Sequence, residues 1–185
     1  MLSNIVVDLV QVENFNVEDV GLRKASLLDV PYVFELLLEG AFFGAFSASF
    51  MLPNGTMRLL YYVFKLWFNQ FSWGRRSYQP AALLMLNKQD KDIGFTYLQE
   101  VKVGEKKNTF LVLSLMSISK EYRNQKIGTE VVNKIYNAIP PGDSMAVACT
   151  KYAVVMQKIL RKLKFSASKN RLYGLREFTK TKSQA

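Results

Sequence analysis

The chain has no histidine and one cysteine, Cys149. The first absence removes histidine triads, histidine general bases and most transition-metal sites, so no metal is expected. The second removes an internal disulfide and suits a reducing compartment. Cys149 ends the apolar run that starts at Met145, so it reads as a buried structural thiol rather than a nucleophile. No internal repeat and no low-complexity tract is present. A basic n-region is also lacking, and Asp8 interrupts the first apolar run, so no signal peptide is read and a cytoplasmic location is expected. The uncharged, Phe-rich stretch 40–57 has about the length of a short membrane span, but Gly40, Gly44 and the turn signal Pro53-Asn54-Gly55 argue against one. Acids are scarce late in the chain: ten of the 25 Lys and Arg lie from Lys151 onward, against one acid, Glu177. A basic segment of that kind meets something acidic or forms a solvated helix face such as Lys158, Arg161 and Lys162. A nucleic acid is one such partner, but no aromatic-interleaved RNA motif or zinc finger supports it, so it is not favoured.

What is present points to one folded domain over 1–185. The chain is 49% hydrophobic with 13 Phe and 9 Tyr, enough to build a core. Strand-like and helix-like segments alternate, which predicts a mixed α/β sheet. Residues 1–19 form an N-terminal extension, read as an added strand or loop, and 180–185 are expected to fray. Residues 57–71 carry Leu59, Leu60, Val63, Phe64, Trp67, Phe68 and Phe71 at helical spacing with few charges on any face. One side of that helix is expected to meet a partner or a hydrophobic substrate, and a homodimer through the apolar 41–71 region is an expected arrangement.

The most informative stretch runs from Leu111 to Val132. An apolar strand ends near Ile118, a basic turn follows, and a helix starts with Val131, Val132, Ile135 and Tyr136 on one stripe. The first amides of a helix have no intrahelical partner, and the dipole makes that end partly positive. Arg123 and Lys126 add full charge and Thr129 offers a hydroxyl, so the turn suits a phosphate or pyrophosphate.

Arg123, Asn124, Gln125, Lys126, Ile127 and Gly128 resemble the Arg/Gln-x-x-Gly-x-Gly/Ala signature of the GNAT superfamily of acyl-CoA-dependent N-acetyltransferases. Arg123 and Gly128 fit, and Lys126 replaces the middle glycine. The flanks follow the same order: a strand near Gly21, a helix opening at Asp29 and Pro31, and a hairpin over 82–98 turning at 88–92. After the turn come the strand 145–149, the helix 154–163, Lys164-Phe165 where Gly-Phe is usual, and a closing strand 172–178. The resemblance implies the GNAT fold: a mixed central sheet of six to seven strands flanked by about four helices, with strands splayed at the acyl-CoA site.

It further implies an enzyme that transfers an acetyl or other short acyl group from acyl-CoA to an amine by direct attack. The acceptor would be a small molecule or a protein. Acetyl-CoA would be the co-substrate, its pantetheine paired with the strand near Met116 and Ile118 and its pyrophosphate on amides from Asn124 to Thr129. The basic C-terminal third could then face the CoA 3′-phosphate, an acyl carrier protein or anionic lipid. The usual acid, a tyrosine five residues before the Phe of Gly-Phe, is Leu160 here, and 109–119 holds no carboxylate. Glu100 is the remaining candidate base, acting through water. These departures leave an alternative: a module of the same fold that binds CoA or an acidic macromolecule without turnover.

Overall fold

The computed structural model describes residues 20–44, 46, 53–69, 80–103, 108–172 and 175–183. The N-terminal extension 1–19 lies outside them, as do most of the loop after the first helix and the segment 70–79.

Seven strands form one sheet: β1 (Val20–Lys24), β2 (Ala81–Lys88), β3 (Lys91–Val103), β4 (Asn108–Ile118), β5 (Ser144–Cys149), β6 (Ser166–Leu172) and β7 (Leu175–Thr181). Their order is β1-β2-β3-β4-β5-β7-β6. Every neighbouring pair is antiparallel except β4–β5. That parallel pair needs a crossover, supplied by helix α3 (Ile127–Ala138). Helices α1 (Val30–Phe42), α2 (Pro53–Asn69) and α4 (Val154–Lys162) complete the expected four.

Two apolar clusters sandwich the sheet. On one face Val131, Val132 and Ile135 of α3 and Leu160 of α4 pack on Leu84, Leu98, Leu111 and Leu113. On the other, Val33 and Leu37 of α1 with Leu59, Val63 and Leu66 of α2 pack on Leu83, Met85, Phe95 and Tyr97. Each such side chain, fully buried, contributes about 1.5–3 kcal/mol relative to exposure. The β2–β3 hairpin turns through Gln89 and Asp90, with φ of 50° and 60°, as a two-residue loop of this type requires. On β3, a Cβ at Gly94 would overlap the Ser117 carbonyl of β4, so only glycine allows that strand approach.

Several boundaries differ from expectation. Pro53 opens α2 instead of forming a turn, because a missing N–H costs nothing in a first helical turn. The closing segment is a hairpin of β6 and β7 rather than one strand over 172–178. Lys180 and Thr181 belong to β7, so they are not frayed. Lys182 donates to the carbonyls of Asn137 and Ile139 at 2.6 and 2.7 Å, closing the end of α3. Asp29 stands at the N-cap position of α1, but its carboxylate turns back to accept from Ser26 N and both Nη atoms of Arg23. Among the described residues no helix is long and apolar enough to cross a membrane.

Candidate functional site

The site begins where β4 leaves β5. The two strands pair from Phe110–Ser144 to Leu113–Val147, and the ladder stops there although β4 runs on to Ile118 and β5 to Cys149. On its other side β4 stays paired with β3, with an irregularity that matches Leu98 to Leu113 and Tyr97 to Leu115. Ser114 is thus the extra residue of a bulge, which bends a strand and strengthens its twist. The bulge also shifts the phase of β4: Leu111 and Leu113 face α3 before it, Met116 and Ile118 after it. The Ser114 hydroxyl donates to Gln99 Oε1 at 2.6 Å. Beyond Leu113, the β4 edge toward β5 has no strand partner among the described residues, leaving backbone groups free for a ligand.

That open edge leads into the turn before α3. Lys126 is the N-cap residue, with φ 61° and ψ 0°, and Asn124 has φ 66°. Both lie in the left-handed region that favours glycine, and asparagine tolerates it better than lysine. Arg123 N donates to Lys120 O, and Thr129 N and Glu130 N to Lys126 O. Among the described residues, the amides from Asn124 to Gly128 donate to no carbonyl of the turn. They stand at a helix N-terminus, where amides without a backbone partner favour an anion, and Lys126 lines the cleft beside them. A Cβ at Gly128 would stand 3.3 Å from both Ile159 Cδ1 and Met116 Cε, so this glycine lets α3 sit close to β4 and α4.

Splay and turn open into one cleft of about 890 Å³. It passes from the turn, between the diverging strands, to a chamber under Leu37, Phe43 and Phe46 of α1 and its following loop and Tyr62 of α2. Among the described lining residues the cations are Arg123 and Lys126, both at the turn end. Among the described lining residues there is no Asp or Glu. Burial pushes the Cys149 thiol up to about 11 and raises Tyr62, so both stay protonated at neutral pH.

No family model matches the chain, and no curated protein matches it. Solved structures do. A GNAT-family acetyltransferase from Streptococcus agalactiae superposes with a TM-score of 0.65 at 16% identity, over 89% of this chain and 96% of that one. The microcin C7 self-immunity acetyltransferase MccE, solved with acetyl-CoA and AMP, gives 0.62 at 11% identity, over 94% and 99%. The PaiA N-acetyltransferase from Thermoplasma acidophilum, solved with coenzyme A, gives 0.60 at 18% identity, over 88% and 98%. This is the GNAT fold.

Within the GNAT fold of this chain, Met116, Ile118, Arg123, Asn124, Lys126, Ile127, Gly128 and Thr129 all line the cleft. Gln125 does not: it turns outward, its Nε2 donating to Glu121 O at 3.2 Å. Thr129 brings only its hydroxyl, because its amide is spent on Lys126 O at 2.9 Å. Arg123 is already engaged, its Nε donating to Ile118 O at 2.9 Å and its Nη2 lying 3.0 Å from Glu39 Oε2. It ties the turn to the end of β4 and to α1 rather than standing free for an anion. Glu100 stands apart from the cleft. It is buried on β3 opposite Leu111 and does not line the cleft, because the bulge lies between it and the open part of β4. Leu160, at the tyrosine position of the GNAT pattern, is fully buried in the core. Sequence reasoning missed Ser114, Glu39, Phe46 and Tyr62. Only Ser114 left a signal, a polar residue inside the apolar run Phe110 to Met116.

Proposed function

We propose that the chain is an acyl-CoA N-acyltransferase that moves an acetyl or other short acyl group to an amine. One observation carries the reading: the β4 edge beyond Leu113, which has no strand partner among the described residues, runs directly into the turn amides of Asn124 to Gly128, which donate to no carbonyl of the turn, within a single cleft. A ligand with an amide-bearing arm and a pyrophosphate end, as CoA has, suits both parts. In this reading the arm pairs with the β4 edge and the pyrophosphate lies on the turn amides beside Lys126. The thioester then sits at the bulge. The acceptor nitrogen bonds to the thioester carbonyl carbon, the carbon–sulfur bond breaks, and the proton lost by the amine ends on the departing thiolate or in solvent. With no carboxylate among the described lining residues, the rate rests on positioning and on the polar backbone at the splay.

The two observations on Glu100 and Leu160 favour a second reading, a CoA-binding module without turnover. Thermal shift with acetyl-CoA followed by thiol release against amines separates the two. Binding to the folded state alone at 100 times Kd adds about 2.7 kcal/mol. A shift with thiol release supports the enzyme, a shift without release supports the module, and no shift at millimolar acetyl-CoA sinks both.

A further inference from the structure

We propose that the acceptor is an amine carried on an apolar aliphatic or aromatic body with no second cationic group, taken up as its free base. The inference rests on the acyltransferase reading and names the substrate class for the same cleft. The chamber beyond the splay is walled by Leu37, Phe43, Phe46, Tyr62 and Leu115. It is built in: a Cβ at Gly40 would overlap the Phe46 ring, so glycine at this point of α1 is what lets Phe46 form the wall.

Charge is the deciding property. Between Glu39 and Asp90 the sequence holds no Asp or Glu at all, and its charged residues there are Arg58, Lys65, Arg75, Arg76 and Lys88. That stretch supplies the end of α1, all of α2 and all of β2, and it spans residues 45, 47–52 and 70–79 that lie outside the described set. The titratable groups lining the cleft are Tyr62 from α2, Tyr122 and Tyr152 from the loops before α3 and α4, and Cys149 from β5. Arg123 and Lys126 stand at the turn end, and Glu39 is held by Arg123 at 3.0 Å. An ammonium entering the chamber loses hydration and finds no carboxylate among the described lining residues. A polyamine, an aminoglycoside or a lysine-rich peptide loses it several times over. Burial in an apolar site favours the neutral amine, which is the nucleophilic form. Lys134 shows the size of that effect in this fold, desolvation bringing its ammonium down to about 8. Desolvation thereby does the work of a base, which the described lining does not supply.

The test is thiol release at saturating acetyl-CoA with 2-phenylethylamine and hexylamine against spermidine and a lysine-rich peptide. A pH series with two apolar amines of different acidity accompanies it and needs no variant. The expected result is a kcat/KM at least about tenfold higher for the apolar amines, the size of a pocket-level discrimination. Each pH profile should rise with unit slope and level at that amine's own pKa, so the two curves are displaced from each other. Phe46→Glu should narrow the preference for apolar amines by raising the rate with spermidine. Preference for spermidine in the parent, profiles breaking at one common pH, or acetyl-CoA binding with no apolar amine acetylated would each overturn the inference. Absence of any acetyl-CoA thermal shift instead overturns the acyltransferase reading.

Discussion

Lys126 stands where the GNAT pattern has its middle glycine, and the backbone there is still left-handed, at φ 61°. The same holds at Lys164, in place of the glycine of Gly-Phe, with φ 63°. There, Lys164 N bonds to Arg161 O and Phe165 N to Leu160 O, the pair of bonds that closes a helix through a left-handed residue. The path of the chain is therefore kept and the local strain accepted. For Lys126→Gly the two consequences have opposite signs. Relief of the left-handed strain, less the entropy glycine loses, should raise stability by about 0.5–1 kcal/mol. Loss of the ammonium beside the amide cradle should weaken acetyl-CoA binding by roughly tenfold, the scale of one charge-assisted hydrogen bond. Melting curves without ligand and titrations at two salt concentrations read the two effects separately. A variant that binds more tightly and with less salt dependence would show that the side chain blocks the cradle. Leu160 gives a second expectation. It is fully buried, so Leu160→Tyr should not restore an acid but overpack the core, costing about 1–3 kcal/mol in a denaturant melt.

Among the elements, β1 and the start of α1 are joined by charge. Arg23 grips Asp29 with both Nη atoms, at 2.8 and 2.7 Å, and reaches Asp92 Oδ2 at 2.6 Å. The Arg23 guanidinium, with help from Ser26, holds the Asp29 carboxyl below the usual carboxylate range. A carboxyl lowered in the folded state contributes stability that is complete above its unfolded pKa and lost as pH falls through the folded one. Asp29→Asn should therefore cost about 1–3 kcal/mol at neutral pH, where the ion pair is intact, and progressively less as pH falls through the lowered pKa of the folded carboxyl. A constant difference between the two proteins across that range, in melts followed by circular dichroism, would contradict this assignment. Spacing alone gave the body of α2 and the strand–turn–helix around Gly128, whereas α1, α4 and the β2–β3 hairpin were placed by the GNAT-like order of their motifs. Those missed carry weak or ambiguous signals. Residues 166–172, Ser-Ala-Ser-Lys-Asn-Arg-Leu, have no alternation because β6 is an edge strand. Pro53 signals a turn and a helix start equally well. The cleft was legible at its turn end, where local spacing sets the path of the chain. It was not legible at Glu100, whose distance from the cleft depends on a bulge two strand positions away, nor at Glu39, which meets Arg123 only through the packing of α1.

For the molecule as a whole, the basic C-terminal third is partly a device of the fold. Lys180 Nζ donates to Leu163 O at 2.9 Å and lies over the Tyr136 ring at 4.1 Å, while Lys182 closes α3. Those cations neutralise helix C-termini and need no external partner. What remains is a seven-stranded sheet opened between β4 and β5, with the charged residues of the described cleft lining at one end. The central claim is that this opening and the turn behind it hold acyl-CoA. Titration calorimetry of acetyl-CoA into the parent and into Lys126→Glu tests it most directly. The account predicts one acetyl-CoA per chain for the parent, and for Lys126→Glu at least about tenfold weaker binding with an unchanged fold, because a carboxylate then faces the pyrophosphate. No heat of binding in the parent at millimolar acetyl-CoA, or equal affinity in the two proteins, would contradict it.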